Sequence, residues 1–184
     1  MMALVVLGIV VVLALVAVAL YNGLVRSRVR VDEAWSGIAT QLKRRHDLIP
    51  NLVETVKGYA GHEKGVLEKV TELRSRAMAA GTPAQSAQAE GLLTQALRGL
   101  YAVAENYPDL KANQNFLSLQ QTLADTEGMI AGARQGYNAA VRDLNTRVES
   151  VPTNFIASAF GFTKRDFFEL EDPAAERAVP QVRF

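Results

Sequence analysis

Residues 113–151, NQNFLSLQQTLADTEGMIAGARQGYNAAVRDLNTRVESV, decide the fold. Phe116, Leu123, Ile130, Tyr137, Leu144 and Val151 recur every seven residues, with Leu119, Thr126, Ala133, Ala140 and Val148 between them. An apolar line with a period near 3.5 marks a long helix that buries one seam against other helices, in a bundle or coiled coil. Asn113 is a good N-cap, so the spacing predicts a helix from there to about Glu149. The same stretch carries Ala124, Gly128, Gly132, Gly136 and Ala140 at strict four-residue spacing. Each interior glycine costs about 1 kcal/mol against alanine, so three of them call for an offsetting contact. A small-residue ridge permits close helix approach, within one subunit or between two. Gly128, Gly132 and Gly136 are therefore candidate packing or oligomer-contact residues.

Working upstream, apolar residues from 31 onward keep helical spacing, with no convincing period-2 strand. A first register runs Trp35, Ile38, Leu42, Ile49, Leu52, Val56, Tyr59 and Val66, then Val70, Leu73 and Ala77. Pro50 interrupts it chemically, because proline lacks the helical donor and clashes with the preceding turn. A break or kink is expected within 47–62, either with Asp47 capping a new helix or at Gly58 and Gly61. Gly81-Thr82-Pro83-Ala84-Gln85 predicts a second punctuation, with Thr82 as N-cap, Pro83 in the first turn and Gln85 completing a capping box. The helix from 83 to about 106 carries Leu93, Leu97, Leu100 and Ala104, and Tyr107-Pro108-Asp109 closes it. The expected fold is all-α: an N-terminal transmembrane helix (1–25), then an antiparallel, up-and-down four-helix bundle (26–150) with long coiled-coil-like helices.

Met1 to Leu20 contain no charged, polar or proline residue. At about 1.5 Å per residue, 20 to 25 residues span roughly 30 to 37 Å, enough for a hydrocarbon core of about 30 Å. Ala17-Val18-Ala19 resembles a signal cleavage site, but the run lacks a basic leader and exceeds the usual apolar length of a signal peptide. An uncleaved anchor is expected. Arg26, Arg28, Arg30, Lys43, Arg44 and Arg45 all follow it, which predicts a cytoplasmic bundle by the positive-inside rule. Tyr21 with Arg26, Arg28 and Arg30 suits anionic lipid head groups, topology control being the plainer explanation of the arginines.

Beyond Pro152, aromatics concentrate at Phe155, Phe160, Phe162, Phe167 and Phe168. This segment (151–170) is expected to cap the bundle, to meet the lipid interface or to meet a neighbouring subunit. Residues 171–184, with Pro173 and Pro180, read as a weakly ordered tail.

Twenty basic and 19 acidic residues nearly cancel, leaving no footprint for nucleic acid. Cysteine is absent and only His46 and His62 occur, so no thiolate nucleophile and no histidine- or cysteine-rich metal site is expected. His62-Glu63 opens like a zincin motif, but Val66 stands where the second histidine belongs. Phosphate loops, dinucleotide turns and nucleophile elbows are missing, so no catalytic residue, metal or cofactor is expected. Mixed charges such as Glu68-Lys69 and Glu72-Leu73-Arg74 read as solvated helix faces. One polar set stands apart: Arg45 on the first core register, beside Asp47 and Asn51, and Glu127, Arg134, Asn138 and Asn145 along the core edge of the last helix. Facing stripes of this kind can form a buried ion-pair and amide network that specifies register.

Arg44-Arg45-His46-Asp47-Leu48-Ile49-Pro50-Asn51-Leu52-Val53, Val56-Lys57-Gly58-Tyr59-Ala60, Asn115-Phe116-Leu117-Ser118-Leu119-Gln120, Ala133-Arg134-Gln135-Gly136-Tyr137-Asn138 and Ala159-Phe160-Gly161-Phe162 closely resemble the LemA family pattern. The resemblance covers almost the whole chain. It implies a bacterial single-span membrane protein with a cytoplasmic helical bundle, and it implies no activity. Two functional classes follow: a self-associating scaffold or adaptor, with membrane lipid, further copies of itself and other membrane proteins as partners, or a membrane-anchored sensor or ligand-binding bundle.

Overall fold

The computed structural model describes residues 1–169; the expected tail at 171–184 lies outside them. The described chain is helical, with no strand among those residues. Its helices are α1 (Met2–Lys57), α2 (Lys64–Met78), α3 (Pro83–Ala104), α4 (Pro108–Lys111), α5 (Gln114–Glu149) and α6 (Thr153–Ala159). Two compact units can be distinguished, one combining Met1–Gly37 with Ala133–Phe167, the other built on Ile38–Gly132.

In the second unit α1, α2, α3 and α5 all feed one apolar core. Ile49, Leu52 and Val56 meet Val70 and Leu73, Leu93, Leu97 and Leu100, and Phe116 and Leu123 there. Most of these are residues the periodicities select, with two departures: Leu67 rather than Val66 is buried, and Tyr59 is exposed, its hydroxyl accepting a 2.9 Å hydrogen bond from the Asn113 amide. The expected break within 47–62 falls at its late end. Helix α1 continues through Pro50 and stops at Lys57, where Gly61 lets the chain fold back. A Cβ at Gly61 would stand 3.2 Å from the Lys57 carbonyl.

The survival of the helix at Pro50 has a specific cause. Proline donates no hydrogen bond, so the carbonyl four residues earlier, that of His46, loses its helical partner. Arg74, on α2, supplies the replacement: its Nε donates to the His46 carbonyl at 2.7 Å. The half-buried Arg74 is thus not part of a solvated face, as its sequence neighbourhood implies, but the tie between α2 and the proline turn of α1.

The start of α3 follows the expected chemistry, with Thr82 accepting from the Gln85 backbone N–H at 3.2 Å and Pro83 in the first turn. Gln85 completes the arrangement by accepting from Gly81 rather than from the cap residue itself. Asn113 caps α5 through Oδ1, which accepts from the backbone of Asn115 and Phe116.

In the first unit α1 and α5 run antiparallel. Trp35 packs on Tyr137 with ring centroids 5.6 Å apart, Ser27 donates to Asp143 at 3.0 Å, and Gly23 lies beside Arg147. Residue numbers fall on one helix as they rise on the other. Tyr137 and Leu144 are buried as the heptad line requires, but Val151, the line's last member, is exposed because α5 has already ended at Glu149. The chain then turns through α6, whose end is a glycine-terminated motif: Gly161 adopts φ +69° and Phe162 N–H reaches the Ala157 carbonyl at 2.9 Å. Within this unit's part of the aromatic segment Phe162 is buried, whereas Phe155 and Phe160 are exposed; Phe168, which belongs to the second unit, is buried.

Candidate functional site

Two clusters carry the chain's unusual polar and aromatic side chains, one in each unit. In the second unit a buried ion cluster grows from the core register of α1. Arg45 and His46 occupy core positions between Leu42 and Ile49, and Glu90 faces them from α3. Arg45 Nη1 donates to Glu90 Oε2 at 3.1 Å, and its Nη2 donates to Thr94 at 2.7 Å and lies 3.4 Å from Glu127 of α5. His46 Nε2 stands 2.6 Å from the other Glu90 oxygen. Arg45 is 3 % exposed and Glu90 1 %, so two charges stand in the interior and each is bonded by the other. Removing one partner of such a pair leaves an uncompensated buried charge.

Of the polar residues expected to cooperate, Arg45 and Glu127 meet. Asp47 and Asn51 do not join them, because Asp47, one position past His46, and Asn51, four positions further along the same face, are turned to solvent. Asp47 is exposed and paired with Lys43 at 2.8 Å; that hydrogen bond holds its carboxyl below the ordinary value. Asn51 is exposed and its carbonyl accepts from Thr55. Arg134 and Asn138 are half-buried residues of the first unit. There too, Asn145 clasps the backbone of Arg165, its amide donating to the carbonyl and its oxygen accepting from the N–H, each at 2.9 Å.

Glu90, the centre of the cluster, was not singled out by the sequence reading, although a signal exists. The α3 core register Leu93, Leu97, Leu100, Ala104 extends backward by three to Glu90 and by four more to Ser86, both buried. A cleft of about 270 Å³ opens beside Arg45, lined also by Thr94, Arg98, Tyr101, Gln120 and Glu127. Burial raises the Tyr101 phenol above its ordinary value, with Arg45 opposing. The charges of Arg45 and Glu90 are taken up by each other and by Thr94, His46 and Glu127, an arrangement that ties α1 to α3 and α5. Among the described residues no group of three or more histidine, aspartate or glutamate side chains is placed to hold a metal ion.

In the first unit the second cluster surrounds the end of the apolar run. Helix α1 is long and apolar enough to cross a membrane, and its most apolar stretch is not buried against the other described residues. Tyr21 is half-buried, its ring in edge contact with Phe160 (4.9 Å) and Phe162 (5.7 Å). Arg28 lies over the Phe162 ring at 5.2 Å, Arg26 Nε donates to the Asn22 carbonyl, and Arg30 is exposed. The glycines expected to pack closely are all exposed: a Cβ added at Gly128, Gly132 or Gly136 would meet no atom within 4 Å. Among the described residues, no helix approaches these glycines closely enough to offset their cost.

A sequence profile of the LemA family matches residues 34–184. The magnetosome protein MamQ 2 of Paramagnetospirillum magneticum is 27 % identical over 210 aligned residues, covering 98 % of this chain and 77 % of that protein. MamQ of Magnetospirillum gryphiswaldense is 24 % identical, covering 88 % and 70 %. Protein LemA of Metamycoplasma hominis is 27 % identical, covering 74 % and 63 %.

Proposed function

We propose, for a chain that belongs to the LemA family, the role of a single-pass scaffold or adaptor of the bacterial cytoplasmic membrane that works by self-association and not by catalysis. The observation that carries this reading is α1 itself, one uninterrupted helix whose first third is apolar and wholly uncovered and whose remainder carries buried core residues. Uncovered apolar surface of that length is tolerable only in lipid. Arg26, Arg28 and Arg30 follow the span directly and favour a cytoplasmic bundle in contact with anionic head groups. The likeness to magnetosome proteins extends over 98 % of the chain, so it takes in the span as well as the helices after it.

Self-association is supported by the outward-facing glycines of α5. Three glycines cost on the order of 3 kcal/mol in helix stability, the chain's own helices leave them uncovered, and a second copy offers the missing surface. The non-catalytic reading is supported by the mutual neutralisation of the buried charges. A ligand-binding sensor is the competing reading, favoured by the cleft beside Arg45; its 270 Å³ falls just below the range of about 300 to 1,000 Å³ usual for small-molecule sites. The full chain reconstituted in nanodiscs, with its mass measured over a wide concentration range, tests the proposal. Assemblies of two or more copies are expected, and a monomer throughout refutes self-association.

A further inference from the structure

We propose that the segment Val151–Phe162 is a second membrane contact, inserted at the boundary between head groups and acyl chains beside the point where α1 leaves the bilayer. The inference rests on the reading of Met1–Leu20 as a spanning anchor. That run supplies about 30 Å of helix, about the thickness of the hydrocarbon core, so it has little length to spare and Tyr21 must lie at the boundary. Phe160 is held against the Tyr21 ring at 4.9 Å and therefore lies at the same depth. The antiparallel pairing of α1 and α5 gives the same answer independently. Asp143 is level with Ser27 and Arg147 with Gly23, so the end of α5 and the turn beyond it arrive at the level of Leu20.

What arrives there is apolar and uncovered. Val151 to Phe162 contain no charged residue, and Val151, Phe155 and Phe160 are 72 %, 68 % and 64 % exposed. Aromatic side chains at a lipid interface are favourably placed, whereas the same exposure in water is not. The flanks suit the head-group layer: Arg28 on the inner side of Phe162 and Lys164 just beyond it. The turn is fixed by Gly161, whose positive φ brings Phe160 and Phe162 back onto Tyr21. The occupant of this surface is the bilayer rather than a second copy, because depth alone places the surface in lipid whatever the subunit number.

The test uses the full chain in vesicles of phosphatidylcholine and phosphatidylglycerol, with and without brominated acyl chains, and reads tryptophan fluorescence. Trp35, the only tryptophan, lies fourteen residues and roughly 21 Å of helix beyond Tyr21 and serves as the unquenched reference. In a Trp35→Phe background, Phe155→Trp and Phe160→Trp are expected to lose about half their emission or more in brominated lipid, and Leu13→Trp reports the anchor. If Leu13→Trp is quenched while both aromatic-segment reporters behave like Trp35, the second contact is overturned and the anchor stands. If Leu13→Trp is not quenched, the anchor reading falls and the inference with it. Blue-shifted but unquenched emission at 155 and 160 overturns the inference in favour of a protein contact.

Discussion

Replacing Arg74 by Met tests the account of Pro50 directly. Proline in a helix interior costs about 3 kcal/mol, part of it for the carbonyl left without a donor. Arg74 Nε meets that carbonyl at 2.7 Å, and a hydrogen bond from a charged donor is worth about 1.5 to 3 kcal/mol net. Methionine keeps most of the side chain's length and apolar stem but donates nothing, so Arg74→Met should destabilise the chain by about 2 kcal/mol. For a chain of this size that corresponds to roughly 4 to 8 °C in melting temperature. The decisive measurement is a double-mutant cycle. Pro50→Ala restores an N–H that can reach the His46 carbonyl from within α1, so in that background Arg74→Met should cost less than about 1 kcal/mol. The full chain in detergent, unfolded by denaturant and followed by far-ultraviolet circular dichroism, supplies all four stabilities. Equal costs of Arg74→Met with and without Pro50 would refute the reasoning, since Arg74 would then act through packing or surface charge unrelated to the proline.

Four further outcomes are expected. Glu90→Leu leaves Arg45 buried with only the half-exposed Glu127 as counter-charge and should cost about 3 to 5 kcal/mol; Arg45→Met combined with Glu90→Leu should recover much of that in the same denaturation assay. Gly161→Ala forces a side chain into φ +69° with no steric neighbour, so unfolding experiments should show the backbone penalty alone, about 1 to 2 kcal/mol. Gly132→Leu meets open space and should leave monomer stability unchanged or raised by up to about 1 kcal/mol, yet lower the assembly mass in nanodiscs; an unchanged mass removes the ridge from the contact. Burial holds the Tyr101 and Tyr137 phenols above the ordinary 10.0, so the folded chain binds those protons more tightly than the unfolded one. Their contribution is intact below about pH 10 and is lost as pH rises beyond it, and Tyr137→Phe should flatten the alkaline decline measured by denaturant titration.

The helical architecture was legible because it is written in spacing. The seven-residue line of α5 and the Thr82-Pro83 start of α3 are local signals, and tertiary contacts left them in place. Two features escaped for a shared reason. Hydrophobic periodicity records which apolar side chains share a face, whereas Glu90 and Arg74 matter through bonds made between helices. Glu90 is polar on a core face, so an apolar register drawn from Leu93 onward stops short of it. Arg74 sits in a run of charges and differs from its neighbours only in reaching a backbone carbonyl 28 positions away. The glycines were legible as a ridge, but spacing alone does not say whether a ridge faces inward, and here the apolar heptad line claims the inner face.

The polar character of the Arg44–Pro50 segment then has a structural origin that requires no reaction. Pro50 orphans the His46 carbonyl, and Arg74 of α2 takes it. The His46 ring turns to Glu90 of α3, which also receives Arg45. Arg45 in turn reaches Thr94 of α3 and Glu127 of α5. Consecutive residues on one turn of α1 thereby bond to each of the other three long helices, through donors and acceptors that apolar packing does not distinguish by register. An apolar seam tolerates sliding by one turn, because one leucine substitutes for the next. A buried guanidinium that must find a carboxylate does not, since a shift of one turn, about 5.4 Å, leaves both charges unpaired in the interior. These bonds support a register-fixing role for the cluster, favouring one pairing of turns between α1 and its neighbours, in a core that otherwise consists of leucine, isoleucine, valine, alanine and Phe116.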